Sequence, residues 1–318
     1  MRRELAVIAR DLHCTAVKIC GRDISRLVLA GDAAAELGLE AWLCPELWDK
    51  SPQATLAYIQ AAAEAAERLR RRRPDQVVLS VGTELSLFMR GILPGRTFAR
   101  RVRHLTSQPR QAARETPLRE YLTQTAATVR RVFDGPVTYA ALPFEKVDWD
   151  QFDIVGVDHY WHQRIADRYL QTLQRWLDLG KPVVISELGF RTRTGAGQTG
   201  AAGPENINEL SMLAHSIPVA GRRIQPRVKT VHERNEAEQA ASLLRQLELI
   251  DQAGVDGVFV HTFVFPLMPH DDNPRHDLDT DSYALVKTLS RGRHGAAYPV
   301  TWEPKQSFTT VADYYATH

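Results

Sequence analysis

Cysteine is scarce in this chain, with three among 318 residues. None of Cys14, Cys20 and Cys44 stands in a CxxC spacing. So small and uneven a set builds no disulfide framework and points to a reducing compartment. Long apolar runs are missing too. No uninterrupted stretch reaches the roughly 20 residues of a membrane span, and the opening MRRELAVIARDLH interrupts its apolar residues with Glu4, Arg10 and Asp11, so it does not read as a signal peptide. An excess of one charge is also absent. Basic side chains number 40 and acidic ones 38, a net charge of +2, which leaves no footprint for nucleic acid. The run Arg70 to Arg73 ends an alanine-rich helical segment and reads as a solvated helix terminus. Neither GxGxxG, GxxxxGK[ST] nor a GxSxG elbow occurs, which removes the usual nucleotide-binding loops and the serine hydrolase turn. These absences predict a cytoplasmic protein with no cofactor, no nucleic-acid partner and no membrane partner; composition does not set the oligomeric state.

What is present is a rhythm. Short apolar runs alternate with segments whose apolar residues recur at helical spacing, as Leu56, Ile59, Ala63 and Ala66 do. Seven strand candidates lie near residues 15, 40, 77, 137, 153, 183 and 257. The stretch between the third of these and TPLREYLTQTAATVRRVFDG reads as a polar loop, and SYALVKTL, after the last strand, as a short helix. Alternation of this kind demands a parallel sheet buried on both faces. The chain opens on a helical segment, RRELAVIARDL, that would follow a first strand not recognised in the sequence. Counting that strand gives eight repeats and an α/β fold, a (β/α)8 TIM-type barrel. The sheet could also close with seven strands, but the favoured expectation is a start inside a longer gene product. The domain reading is one barrel over residues 1–318, with a long loop at 191–226 and a C-terminal tail at 292–318.

Two acidic residues close strand candidates. VVLSVGTELSLF puts Glu84 at the carboxyl end of the strand near 77, and PVVISELGF puts Glu187 at the carboxyl end of the strand near 183. Reactive groups of a barrel gather at that end. A carboxylate pair is what cleavage of a glycosidic bond needs: one kept protonated to donate to the leaving oxygen, one ionised to attack or to activate water. Spacings of roughly 5 to 5.5 Å and of 6.5 to 9.5 Å separate retention from inversion.

On these motifs the chain resembles the superfamily of retaining (β/α)8 glycoside hydrolases, the clan A type. VLSVGTELSLF corresponds to its strand-four motif and VVISELGF to its strand-seven motif. The resemblance implies Glu84 as acid/base, Glu187 as nucleophile, and a carbohydrate or glycoside as the small-molecule substrate. It also implies that an aromatic hydroxyl, here Tyr160, holds the nucleophile. Two positions depart from the pattern. Thr83 stands where the family has an Asn contacting the sugar 2-hydroxyl, and VHTFVFP offers Phe263 and Phe265 where the family has a strand-eight Trp.

Further candidates complete the expected mouth. VDHYW supplies His159, Tyr160 and Trp161; because His159 and Trp161 share one side of a regular strand and Tyr160 takes the other, not all three point inward. Glu46 could bind hydroxyls or pair with Lys18, Trp48 could stack on a sugar ring, and His261 lies in the last apolar run. HDDNPRHDLDTD, residues 270–281, is dense in oxygen and imidazole donors but matches no metal spacing and reads as a solvated loop, so no metal is expected. Two alternatives stay open: a barrel that binds sugar or assembles without turnover, and a metal-dependent enzyme using Glu46, His159, His261 and residues 270–281.

Overall fold

Six residue pairs in register, from Ala16 opposite Glu40 to Gly21 opposite Pro45, join the first two strands in parallel in the computed structural model of the protein. The structure describes residues 1–107, 112–202, 206–208, 211, 225–289 and 301–318. Seven strands form one sheet in sequence order: β1 (Ala16–Gly21), β2 (Glu40–Pro45), β3 (Val77–Thr83), β4 (Val137–Ala141), β5 (Val155–Asp158), β6 (Val183–Leu188) and β7 (Gly257–Val260). All seven stand where the apolar runs placed them.

The chain divides into two compact units. The first comprises Met1–His159, Trp176–Ser186 and Val255–Phe259, and so holds nearly all of the sheet. Strand order follows sequence order because each connection leaves the end of one strand and returns to the start of its neighbour, by helices after β1, β2 and β3 and by a single 3-10 turn, Trp149–Gln151, between β4 and β5. Helix α1 (Arg2–Arg10) precedes the sheet; α2 (Ile24–Ala35) and α3 (Pro52–Arg72) supply the first two crossovers. Asp23 caps α2 by accepting from the Arg26 amide at 3.1 Å, and Ser51 caps α3 through the Ala54 amide at 3.3 Å, with Pro52 in the first turn where no amide is needed. One face of the sheet packs on these helices: Val17 and Ile19 lie with Leu5, Ala33, Leu39 and Ala41.

The opposite face curls on itself. Trp42, Val78 and Val184 form a buried cluster against which Ala16, Ile154 and Phe259 pack, a single layer drawn from six parts of the sheet. The Trp42 and Phe259 rings lie 4.9 Å apart, edge to face. In a flat sheet β2 and β7 would be five strand spacings apart, about 24 Å, so this contact requires a barrel-shaped sheet. Each large side chain in the layer contributes on the order of 2 kcal/mol of burial. The interior is therefore a packed core at its base.

The second unit comprises Tyr160–Arg175, Glu187–Gly254 and Val260–His318. Its main helix, Glu236–Gln252, is capped by Asn235, which accepts from the Glu238 amide at 2.9 Å, and it buries Ala240, Leu243, Leu247 and Ile250. The C-terminal helix Gln306–Tyr315 is joined to it by the Ser307 hydroxyl, which donates to Gln239 Oε1 at 3.0 Å. Within the 191–226 segment, Ala196–Thr199 and Gly200–Ala202 form single helical turns. Much of that segment, and the start of the 292–318 tail with Tyr298, lie outside the described residues.

Two expectations need correction. The stretch read as a polar loop contains α4 (Leu85–Phe88) and α5 (Phe98–Ser107). Its charged residues hid a helix whose Arg101 is fully buried, donating to the carbonyls of Leu87 at 2.5 Å, Gly95 at 3.0 Å and Phe88 at 3.3 Å and pairing with Asp49. SYALVKTL is not a helix. The Leu285 and Val286 amides donate to the carbonyls of Thr262 and Phe263, and Val286–Thr288 (β8) pairs antiparallel with Trp302–Pro304 (β9). Pairing with chain segments distant in sequence outweighed a local helical spacing. No helix among the described residues is long and apolar enough to cross a membrane.

Candidate active site

Glu84 closes β3 through an irregular turn. The register of β3 against β4 shifts between Ser80 and Thr83, Gly82 takes φ 148°, and Glu84 itself takes φ 42°. The φ at Gly82 strains any side chain, and a Cβ there would also press on Leu85 at 3.1 Å, so glycine suits the bulge. For a glutamate, left-handed backbone is costly and persists only where its surroundings fix it. They do so in detail. The Glu84 amide donates to the Ala140 carbonyl at 2.8 Å, and its own carbonyl accepts from the Leu87 amide at 2.7 Å. The Leu85 amide donates to the Tyr139 hydroxyl at 2.8 Å, which in turn donates to Glu145 Oε2 at 2.9 Å. Glu145 also accepts from the Ser86 amide at 3.1 Å and the Leu142 amide at 2.9 Å. Burial pushes the Glu145 carboxyl up from its ordinary range, and burial pushes the Tyr139 phenol well up. Neither residue was singled out in the sequence; their signal is spatial.

Beside this turn, inside the sheet, lies a polar layer. Asp158 is 1% exposed; its Oδ2 accepts from the Thr83 hydroxyl at 3.1 Å and its Oδ1 from the Ser186 hydroxyl at 2.6 Å. Lys18 Nζ stands 4.0 Å from Asp158 Oδ1 and donates to the Ser186 carbonyl at 3.3 Å. Thr83 thus directs its hydroxyl proton to a buried carboxylate. The two candidates from β2 stand further along. Glu46 is half-buried, and its amide donates to the Gly21 carbonyl at 2.9 Å. Trp48, 41% exposed, forms an aromatic group with Phe88 and Phe98, the centroids of Trp48 lying 4.6 and 5.7 Å from theirs. His159 is buried with its ring edge-on to Trp176 at 5.2 Å, in the first unit.

The second unit carries Glu187 and the remaining candidates. The Tyr160 hydroxyl donates to Glu187 Oε2 at 3.1 Å, and His261 Nδ1 stands 3.7 Å from the same oxygen. His261 is fixed by its amide, which donates to the Leu188 carbonyl at 2.7 Å. The chain leaves Glu187 through Gly189, where a Cβ would fall 2.5 Å from the His261 carbonyl oxygen; only glycine fits. Tyr283 adds a further aromatic wall, its ring 5.7 Å from Tyr160 and 5.9 Å from His261. Phe265 lies 6.5 Å from His261, and Phe263 turns to Trp302 at 5.3 Å. Trp161 is buried beneath the Arg245 guanidinium at 5.4 Å and lines a cavity of about 40 Å³. Tyr283 escaped the sequence reading because it sits in the segment taken for a helix.

Residues 270–281 are not a solvated loop throughout. Asp277, Asp279 and Asp281 are buried. Asp279 pairs with Arg234 at 2.6 Å and with Lys305 at 2.9 Å, and Asp281 with Arg191 at 3.2 Å and Arg193 at 3.1 Å. His270 approaches Asp277 at 3.1 Å. The acidic density balances basic side chains of the same unit, which spacing along the chain could not reveal. Arg191 also lies over the Tyr283 ring at 5.2 Å, tying this ion-pair cluster to the surroundings of Glu187.

A scan against protein-family models and a search of the curated proteins return no match. Solved structures do match. A GH113 β-1,4-mannanase superposes with a TM-score of 0.62 at 15% identity, over 100% of this chain and 93% of that one. The GH113 β-mannanase AaManA from Alicyclobacillus acidocaldarius gives 0.58 at 15% identity, over 99% and 91%. The β-glucuronidase of Ruminococcus gnavus gives 0.57 at 13% identity, over 100% of this chain but 46% of its own length. At such identities the likeness concerns the fold alone: the parallel seven-stranded, barrel-shaped sheet with its surrounding helices matches the TIM-type barrels of these neighbours.

Proposed function

We propose that the protein is a retaining glycoside hydrolase in which Glu84 is the acid/base and Glu187 the nucleophile. The observation that carries the reading is the hydrogen bond from Tyr160 to Glu187 at the end of β6. A phenol that donates to a carboxylate favours its ionised form and fixes one oxygen, leaving the other to attack. Glu84, at the end of β3 in the same strand order, protonates the glycosidic oxygen as Glu187 bonds to the anomeric carbon. It then takes a proton from the water that releases the sugar. Glu46, Trp48 and His261, with Tyr160, Trp161, His159 and Phe265, are proposed as groups that bind the sugar or shape its site. The neighbours' names suggest where to begin: aryl β-mannosides and aryl β-glucuronides. Wild-type protein is expected to hydrolyse at least one with retention, seen as the first anomer formed by NMR, and Glu187→Ala to lose that turnover. Equal turnover by both proteins would remove the assignment.

One observation favours a second reading, a barrel that binds sugar without turnover. The Thr83 hydroxyl is given to Asp158, so its role at the position next to Glu84 is first of all internal. Saturable sugar binding with no turnover of any glycoside would support that reading; turnover lost in Glu84→Gln would exclude it.

A further inference from the structure

Cys20 and Cys44 lie 24 positions apart in the sequence and directly opposite each other in the β1–β2 ladder. Glu46 follows Cys44 by two residues, directly after the end of β2. The two Sγ atoms and a Glu46 carboxylate oxygen all lie within 4.8 Å of one another, and this is the sole such group of three potential metal ligands among the described residues. We propose that Cys20, Cys44 and Glu46 form a site for a thiophilic divalent cation, Zn²⁺ matching best, with the fourth position open to water. The proposal does not rest on the hydrolase reading, but it gives the Glu46 carboxylate to the ion rather than to the sugar.

The donor set selects the ion. Two thiolates favour Zn²⁺ over hard cations, and one carboxylate completes a mixed set suited to tetrahedral coordination. Zn–S bonds of about 2.3 Å and Zn–O bonds of about 2.0 to 2.2 Å put tetrahedral ligand atoms roughly 3.5 to 3.8 Å apart. From the present spacing, small side-chain rotations would bring the three atoms onto one ion. The backbone beneath them is held: the Tyr58 hydroxyl donates to the carbonyls of Gly21 at 3.2 Å and Arg22 at 2.8 Å, and the Glu46 amide to Gly21 at 2.9 Å. Cys44 is buried, Cys20 exposed and Glu46 half-buried, so the site has both an anchored ligand and a route of entry.

The charge balance is favourable. Before binding the site carries two neutral thiols and one carboxylate; on binding each thiol gives its proton to solvent, and the cation offsets the two new thiolates. The site keeps its charge of minus one, and two protons appear for each ion bound.

Full-length protein, reduced and stripped of metal, would be titrated with Co²⁺ alone and then with Zn²⁺. One Co²⁺ per chain is expected, with a sulfur-to-cobalt charge-transfer band and two protons released, and Zn²⁺ should displace it. Cys20→Ser, which alters the exposed ligand, should weaken binding at least about 100-fold, and Glu46→Gln about 10-fold or more. Cys14→Ser should leave the spectrum unchanged, and saturating Zn²⁺ should raise the melting temperature of wild type but not of Cys20→Ser. Failure of reduced wild type to take up Co²⁺, or a cobalt spectrum that survives in Cys20→Ser, would overturn the proposal. So would rapid closure of a Cys20–Cys44 disulfide that Zn²⁺ does not slow.

Discussion

The Tyr160 phenol donates a 3.1 Å hydrogen bond to Oε2 of Glu187, the oxygen that also faces Nδ1 of His261 at 3.7 Å. Removing that donor while keeping the ring tests what the bond does. Hydrogen bonds to charged groups contribute about 1.5 to 3 kcal/mol, so Tyr160→Phe is expected to lower kcat/KM on an active aryl glycoside by roughly 10- to 150-fold. Steady-state kinetics with an unchanged circular dichroism spectrum would show this. An unchanged rate would mean the bond is structural only.

Asp158 tests the interior of the sheet. Its carboxylate, 1% exposed, takes hydrogen bonds from Thr83 and Ser186 and faces Lys18. Truncation strands a buried cation and two hydroxyls, and losses of this kind cost about 3 to 5 kcal/mol. Urea denaturation of Asp158→Ala should show a loss in that range. A loss below about 1 kcal/mol would mean that water enters the layer and replaces the carboxylate.

Strain at Glu84 gives a comparison of two variants. With φ at 42°, any side chain carries a left-handed penalty that glycine avoids, about 1 kcal/mol. Glu84→Gly is therefore expected to be more stable than Glu84→Ala by about that amount, although glycine at an ordinary position would be less stable. Thermal melts of the two proteins decide the sign.

Glu67 supplies a pH dependence. The Arg70 guanidinium, hydrogen-bonded to it at 2.8 Å, is the main cause that lowers its carboxyl to about 2 against an ordinary 4.5; the Asp134 amide and Arg71 add to it. A folded-state value below the unfolded one means the stabilisation is fully present above about 4.5 and fades as pH falls towards 2. Wild type should exceed Glu67→Gln in stability at pH 6, and the gap should shrink between pH 4.5 and 2. A gap constant across that window would show that Glu67 acts through packing rather than charge.

The strands were legible because each is a short apolar run bounded by turn residues, and a parallel sheet buried on both faces leaves that mark. Strand order followed from alternation with helices such as α3. Asp158 was within reach as well: the alternation that sets Tyr160 opposite to His159 puts Asp158 on the side of Tyr160. Other parts depend on partners far along the chain. The Cys20–Cys44 register, the Tyr139–Glu145 brace under Glu84 and the pairing of residues 277–281 with Arg191, Arg193, Arg234 and Lys305 leave no local periodicity. SYALVKTL misled for the same reason, since its helical spacing lost to strand pairing with Trp302–Pro304.

A nucleophilic Glu187 must become covalently bonded to sugar during turnover. A 2-deoxy-2-fluoro glycoside with a good leaving group slows the release of such an intermediate more than its formation, so it accumulates. Intact-mass analysis followed by peptide mapping should find one fluorosugar per chain, attached to the peptide containing VVISELGF at Glu187 and absent from Glu187→Ala. An adduct on another residue, or turnover that yields the inverted anomer with no adduct at all, would show that Glu187 is not the nucleophile.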